Sequence, residues 1–151
     1  AGVIGRVARR SVDAGILVAA MSALARHRNV RARVRPSQDG RAAGEPIELS
    51  NFSAMLTPYL AGAFRYEPTR GAGEGQLAFH LCRDMSRTDL LATMVRLLGG
   101  RFDGSPKTRS CTAPAMCIEL DEEDDLELDG ELFRAKSIRL EARPSVLEVC
   151  S

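Results

Sequence analysis

The chain has 151 residues, 44% of them hydrophobic and 27% charged, with a formal net charge of +1. A chain of this size buries roughly 70% of its extended surface without disulfides or metals. Its composition therefore excludes wholesale disorder, a coiled coil and a collagen-like fibre, and implies a single domain over residues 1–151. The longest apolar run, residues 14–25, falls short of the roughly 20 residues that span a bilayer. The sequence opens at Ala1 without an initiator Met, and its basic residues follow a short apolar stretch, the reverse of a secretory signal. It reads as an excised piece or a processed product.

From Ser11 to His27, Val12, Ile16, Ala19, Ala20, Ala23 and Leu24 recur at helical spacing, with Ser11 as a cap and Asn29 near the stop. Val30, Ala32 and Val34 then alternate with Arg31, Arg33 and Arg35, which predicts a half-buried strand. Asp39-Gly40 supplies a turn before Ile47 to Ser50, completing a hairpin. A further strand is expected where Leu77, Phe79 and Leu81 alternate with Ala78, His80 and Cys82. It leads into Ser86-Arg87-Thr88-Asp89, a capping box. The second helix carries Leu91, Met94, Val95 and Leu98 on one face and stops at Gly99-Gly100. Short strands follow at Met116 to Leu120, Leu126 to Leu128, Ile138 to Leu140 and Val146 to Val149. Elements at this spacing predict a mainly β fold, a sandwich or flattened barrel, with two helices.

Charge is strongly segregated. Residues 1–41 hold nine Arg against Asp13 and Asp39, whereas residues 119–131 hold nine carboxylates and no base. With no Trp and two Tyr there is no stacking platform, and nucleic acid is not an expected partner. Cys82, Cys111, Cys117 and Cys150 match neither a zinc knuckle nor a redox pair, and read as reduced thiols of a cytoplasmic protein. His27 and His80 are the only imidazoles, and no nucleophile elbow or paired-His ligand pattern occurs. Residues 71–75, Gly-Ala-Gly-Glu-Gly, lead into a strand and lack the lysine of a phosphate loop. Asp125, Glu127, Asp129 and Gly130 fall at EF-hand positions, but Lys136 stands where the bidentate Glu is needed. Asp129-Gly130 is in its own right a favoured type I′ hairpin pair.

The order of these features resembles the C-terminal domain of the diacylglycerol kinase and sphingosine kinase superfamily, which includes bacterial lipid kinases. The resemblance runs from about Arg33 to the end. It comprises a strand and Asp39-Gly40, Leu49-Ser50-Asn51-Phe52, the segment Tyr59 to Pro68, the turn and strand Gly73 to Leu81, and the helix Leu90 to Gly100. Asp129-Gly130-Glu131 and a last strand at Pro144 to Val149 complete it. The resemblance implies a β-sandwich lobe on the substrate side of a two-lobed, ATP-dependent kinase that phosphorylates a hydroxyl of a diacylglycerol- or sphingoid-type lipid. Glu131 matches the family's catalytic Glu and implies a general base. Asp129 matches the acid of the same triplet, turned toward nucleotide and metal. A magnesium site matches Glu74 with the carbonyls of Gly71 and Gln76, although the family has Asp at Glu74 and commonly acids at Gly73 and Ala78.

The nucleotide-binding lobe with its GGDGT-type motif has no counterpart in this sequence, so ATP and magnesium are expected only in a longer parent, and the isolated chain is expected to be inactive. The alternative is a non-catalytic lipid- or membrane-binding β-sandwich. Either reading allows an anionic membrane surface as partner of the Arg-rich segment and a cytoplasmic, membrane-peripheral location.

Overall fold

The computed structural model describes residues 18, 21–22, 24–36, 44–60, 64–67 and 75–143. The expected Ser11 cap, the Asp39-Gly40 turn, Cys150 and the strand at Val146 to Val149 lie outside them. Residues 18, 21–22 and 24–26 are helical (α1), and the helix has ended by His27, as the sequence predicts. Then come β1 (Val30–Pro36), β2 (Pro46–Met55), β3 (Tyr59–Leu60), β4 (Phe64–Arg65), β5 (Leu77–Arg83), α2 (Arg87–Leu98), β6 (Thr108–Ala113), β7 (Ala115–Leu128) and β8 (Glu131–Glu141). No helix among the described residues is long and apolar enough to cross a membrane.

The six long strands form one antiparallel sheet in the order β6-β5-β2-β1-β7-β8, while β3 and β4 make a separate small hairpin. The mainly β class is borne out in the form of a curled half-barrel. Alternation assigns its faces. Ala32, Val34, Ile47, Met116 and Ile118 point to one side. A register shift between Leu49 and Asn51 moves β2 by one residue, so that Phe52 and Ala54 join the same side beside Leu81 and Phe79. The result is a continuous apolar layer in which Phe79 is wholly buried and its ring stacks on Phe52 at 5.7 Å.

Among the described residues the opposite face is covered at the β5 end. There α2, β4 and the Phe102 segment bury Tyr66, Cys82, Met85 and Leu97. Helix α2 begins in the predicted capping box. The Asp89 amide donates to Ser86 Oγ at 3.2 Å and the Ser86 amide to Asp89 Oδ2 at 3.0 Å, a pairing worth about 1 kcal/mol. At its other end the Arg101 amide reaches the Arg96 carbonyl and the Gly100 amide that of Leu97. Gly100 supplies the left-handed residue, φ 75°, that this closure requires.

The structure corrects the sequence reading in three places. Helix α2 docks through Leu90, Thr93 and Leu97, leaving Leu91, Val95 and Leu98 exposed. Apolar residues occupy two stripes of this helix, and the one that meets Tyr66 and Met85 is buried. The two short strands expected at 116–128 are a single strand, β7, and the acid run between them is part of it. Basic residues across the sheet make this tenable: Arg31 and Arg33 face Asp121 at 3.8 Å, Arg35 holds Glu119 at 2.7 Å and Arg28 reaches Asp124 at 3.4 Å. Part of the segregated charge of the sequence is thus paired within the chain. Strands β3, β4 and β6 had no clear alternation to announce them.

Candidate active-site hairpin

Asp129-Gly130-Glu131 forms the turn from β7 to β8. Leu128 lies directly opposite Glu131, so Asp129 and Gly130 are a two-residue loop. Their φ values, 50° and 88°, are the type I′ pattern, whose twist matches that of the flanking strands. A Cβ on Gly130 would meet nothing within 4 Å, so the backbone angle and not crowding demands glycine. After glycine, Asp and Asn are the residues that adopt the left-handed conformation most readily.

The turn crowns a projecting arm. Strand β1 pairs with β7 only as far as Leu120, whereas β7 and β8 pair onward from Asp124 opposite Ala135 to the turn. No third strand flanks that outer part among the described residues. Residues opposite one another share a face, which puts Glu131 beside Leu126, Leu128 and Phe133, with Glu127 and Leu132 on the other side. Leu128, Leu132 and Phe133 are exposed at the end of the arm. The side chains of Asp129 and Glu131 are also exposed, without hydrogen-bond or ion-pair partners among the described residues. Glu131 is thus an accessible proton acceptor. General-base work further requires a hydroxyl held about 3 Å away. At the root of the arm an open groove of about 730 Å³ is lined by Arg33, Glu119, Leu120, Asp121, Lys136 and Ser137.

Of the expected magnesium ligands, Gly71 and Glu74 lie outside the described residues, and Gln76 is a half-buried residue just before β5. The described residues contain no group of three or more His, Cys, Asp or Glu side chains suited to a metal ion.

A second polar cluster, invisible in the sequence, lies at the β5 end. The pairing of β5 with β6 sets His80 beside Ser110. Ser110 Oγ donates to Asp103 Oδ1 at 3.0 Å, so its lone pair accepts from His80 Nδ1–H at 2.9 Å. The imidazole is 2% exposed and stacks on Tyr66 at 4.2 Å, with Phe102 edge-on at 5.2 Å. Burial lowers its pKa to about 4 against the opposing charge of Asp103. Serine stands between imidazole and carboxylate here and gives its proton to the carboxylate, so the trio is not arranged as a nucleophilic triad. Burial has the opposite effect on Tyr66 and Cys82 beside it, raising the pKa of both, that of the thiol to about 12. Such a thiol is unreactive at neutral pH. On the surface nearby, the Lys107 ammonium at 2.8 Å and the Ser86 bonds hold the Asp89 carboxyl well below the usual carboxylate range.

No family model matches the sequence, and no curated protein matches it. Solved structures do resemble the fold. A diacylglycerol kinase from Bacillus anthracis str. Sterne is 15% identical, with TM-score 0.55, over 83% of this chain and 47% of its own. Two further diacylglycerol kinase-like structures from the same organism are each 18% identical over 84% of this chain and 45% of theirs, with TM-scores 0.55 and 0.56. The chain spans less than half the length of each, and at these identities the likeness is one of fold.

Proposed function

We propose that this chain is the substrate-side lobe of an ATP-dependent lipid kinase. The observation that carries the reading is the Asp129-Gly130-Glu131 turn, exposed at the tip of an arm on a fold like that of part of a bacterial diacylglycerol kinase. A carboxylate so placed is free to meet a second lobe and a lipid hydroxyl held between the two. In this reading Glu131 Oε accepts the hydroxyl proton while the lipid oxygen forms a bond to the γ-phosphorus of ATP. The bond from that phosphorus to the β,γ-bridging oxygen breaks, and ADP leaves. Asp129, held by the same turn, orients the nucleotide side. A magnesium ion would supply charge neutralisation at the phosphates. The chain alone transfers no phosphate in this reading, because its sequence has no glycine-rich cradle for ATP. The substrate is a diacylglycerol- or sphingoid-type lipid alcohol, met in the cytoplasm at a membrane surface.

The test is phosphorylation of detergent-dispersed lipid by the full-length protein that carries this chain. Glu131→Gln is expected to lower kcat by at least about 100-fold, the usual share of a general base, with an unchanged urea midpoint. Equal activity in the variant would overturn the assignment.

A further inference from the structure

The described basic residues fall into two populations. Arg28, Arg31, Arg33, Arg35, Lys107, Arg134 and Arg139 are ion-paired. Arg26, Arg65, Arg83, Arg87, Arg96, Arg101, Arg109, Lys136 and Arg143 are exposed and have no ion pair among the described residues. Four of these, Arg65, Arg87, Arg96 and Arg101, lie on α2 or beside its C-terminal end, next to the stripe that the core does not use. Leu91, Val95 and Leu98 follow one another at four- and three-residue spacing and are 42%, 61% and 50% exposed. Arg87 stands one turn before the stripe. Arg65 lies at its far end, its Cδ 3.6 Å from where a Cβ on Gly100 would be, and its guanidinium is 5.9 Å from the centre of the Tyr59 ring. Tyr59 and its neighbour Leu60 are themselves 58% and 43% exposed, which carries the apolar surface onto the β3–β4 hairpin.

We propose that the surface formed by α2 and the β3–β4 hairpin docks reversibly on an anionic lipid bilayer. Aliphatic side chains on one stripe of a helix, a tyrosine at the edge and unpaired guanidiniums around them match the layers of a membrane interface: acyl boundary, glycerol region and phosphates. Charge complementarity favours this occupant. Four guanidiniums without ion pairs suit anionic headgroups, and the neighbouring carboxylates have partners within the chain, of which one is a cation. Lys107 holds Asp89, Ser110 donates to Asp103, and Glu67 accepts the Asp103 amide. Asp84, exposed just before α2, acts on the charge of Lys107. The inference deepens the lipid-kinase reading by naming the face that meets the membrane. It is tested without any phosphoryl acceptor, so either can fail alone.

The chain has no Trp, which makes single introduced tryptophans clean reporters. The experiment mixes Val95→Trp and Leu132→Trp variants of the 151-residue chain with phosphatidylcholine vesicles, with or without phosphatidylglycerol, and follows emission and co-sedimentation. The expected result is a blue shift for Val95→Trp alone, only on vesicles containing phosphatidylglycerol. Raising salt from 0.1 to 1 M, which shortens the Debye length from about 10 to about 3 Å, is expected to reverse it. Arg65→Glu combined with Arg96→Glu is expected to lower the bound fraction at least about tenfold. No binding to any vesicle would overturn the proposal, as would a shift at Leu132→Trp instead, or binding that survives both charge reversals. Self-association abolished by Val95→Glu without vesicle binding would also overturn it, by assigning the face to a second copy.

Discussion

The two ends of the sheet handle polar groups in opposite ways. At the β5–β6 end both faces are covered, so His80 is enclosed by Tyr66, Phe102 and Ser110 and is held neutral. At the β7–β8 end one face is open among the described residues, and charge is kept at the surface and matched strand to strand, Arg35 to Glu119 and Arg31 and Arg33 to Asp121. Beyond the last of these pairs the arm runs on with its apolar residues exposed. Cover on both faces selects a neutral, hydrogen-bonded polar group, whereas an open face lets opposite charges hold a strand rich in acids. The stable end and the chemically available end of the molecule are therefore different places.

The largest expected effect sets the two ends directly against each other. Phe79→Ala, at a wholly buried position, is expected to cost about 3–5 kcal/mol of unfolding free energy, and Leu132→Ala on the arm less than about 0.5. Urea denaturation of the two variants measures the difference, and comparable losses would break the contrast.

The next effect tests the enclosed imidazole. With a folded pKa of about 4 against 6.5 unfolded, the unfolded chain takes up a proton below about pH 6.5 that folded His80 refuses until about pH 4. Stability is thus expected to fall as pH drops through that window, by about 3 kcal/mol in all, and to be fully present above it. His80→Gln is expected to flatten this part of the profile of urea midpoint against pH. Parallel profiles for the two proteins would mean that His80 is not held neutral.

The smallest effect sharpens the other side. A double-mutant cycle on Arg35 and Glu119, whose side chains are 33% and 46% exposed, is expected to give a coupling of about 0.2–1 kcal/mol that shrinks in 1 M salt. A coupling well above this range, or one insensitive to salt, would show that the open face is less open than the geometry indicates.

Local chemistry made much of the fold legible. The Ser86–Asp89 capping box, the Gly99-Gly100 stop, the alternation in β1 and β5 and the Asp129-Gly130 turn each appear where the sequence puts them, because each depends on residues within a few positions of one another. Local pattern gave only the turn, and Glu131 stood out as a candidate base through the order of motifs that the resemblance rests on. Strand β6 was not: Thr108 to Ala113 mix polar and small residues, and only pairing with β5 gives them their place. The His80–Ser110–Asp103 trio was hidden likewise, since Ser110 lies thirty positions from His80.

Sequence by itself determined the helix caps, the turn that presents Asp129 and Glu131, and the separation of basic from acidic residues. Tertiary structure decided which stripe of α2 faces inward and which is left exposed. It also decided that the acid run belongs to a strand neutralised by arginines about ninety positions earlier. The reason is one of range. Caps and type I′ turns are settled by backbone angles and hydrogen bonds among near neighbours, whereas the burial of a stripe and the pairing of a charge depend on which distant strand lies alongside, which local pattern does not encode.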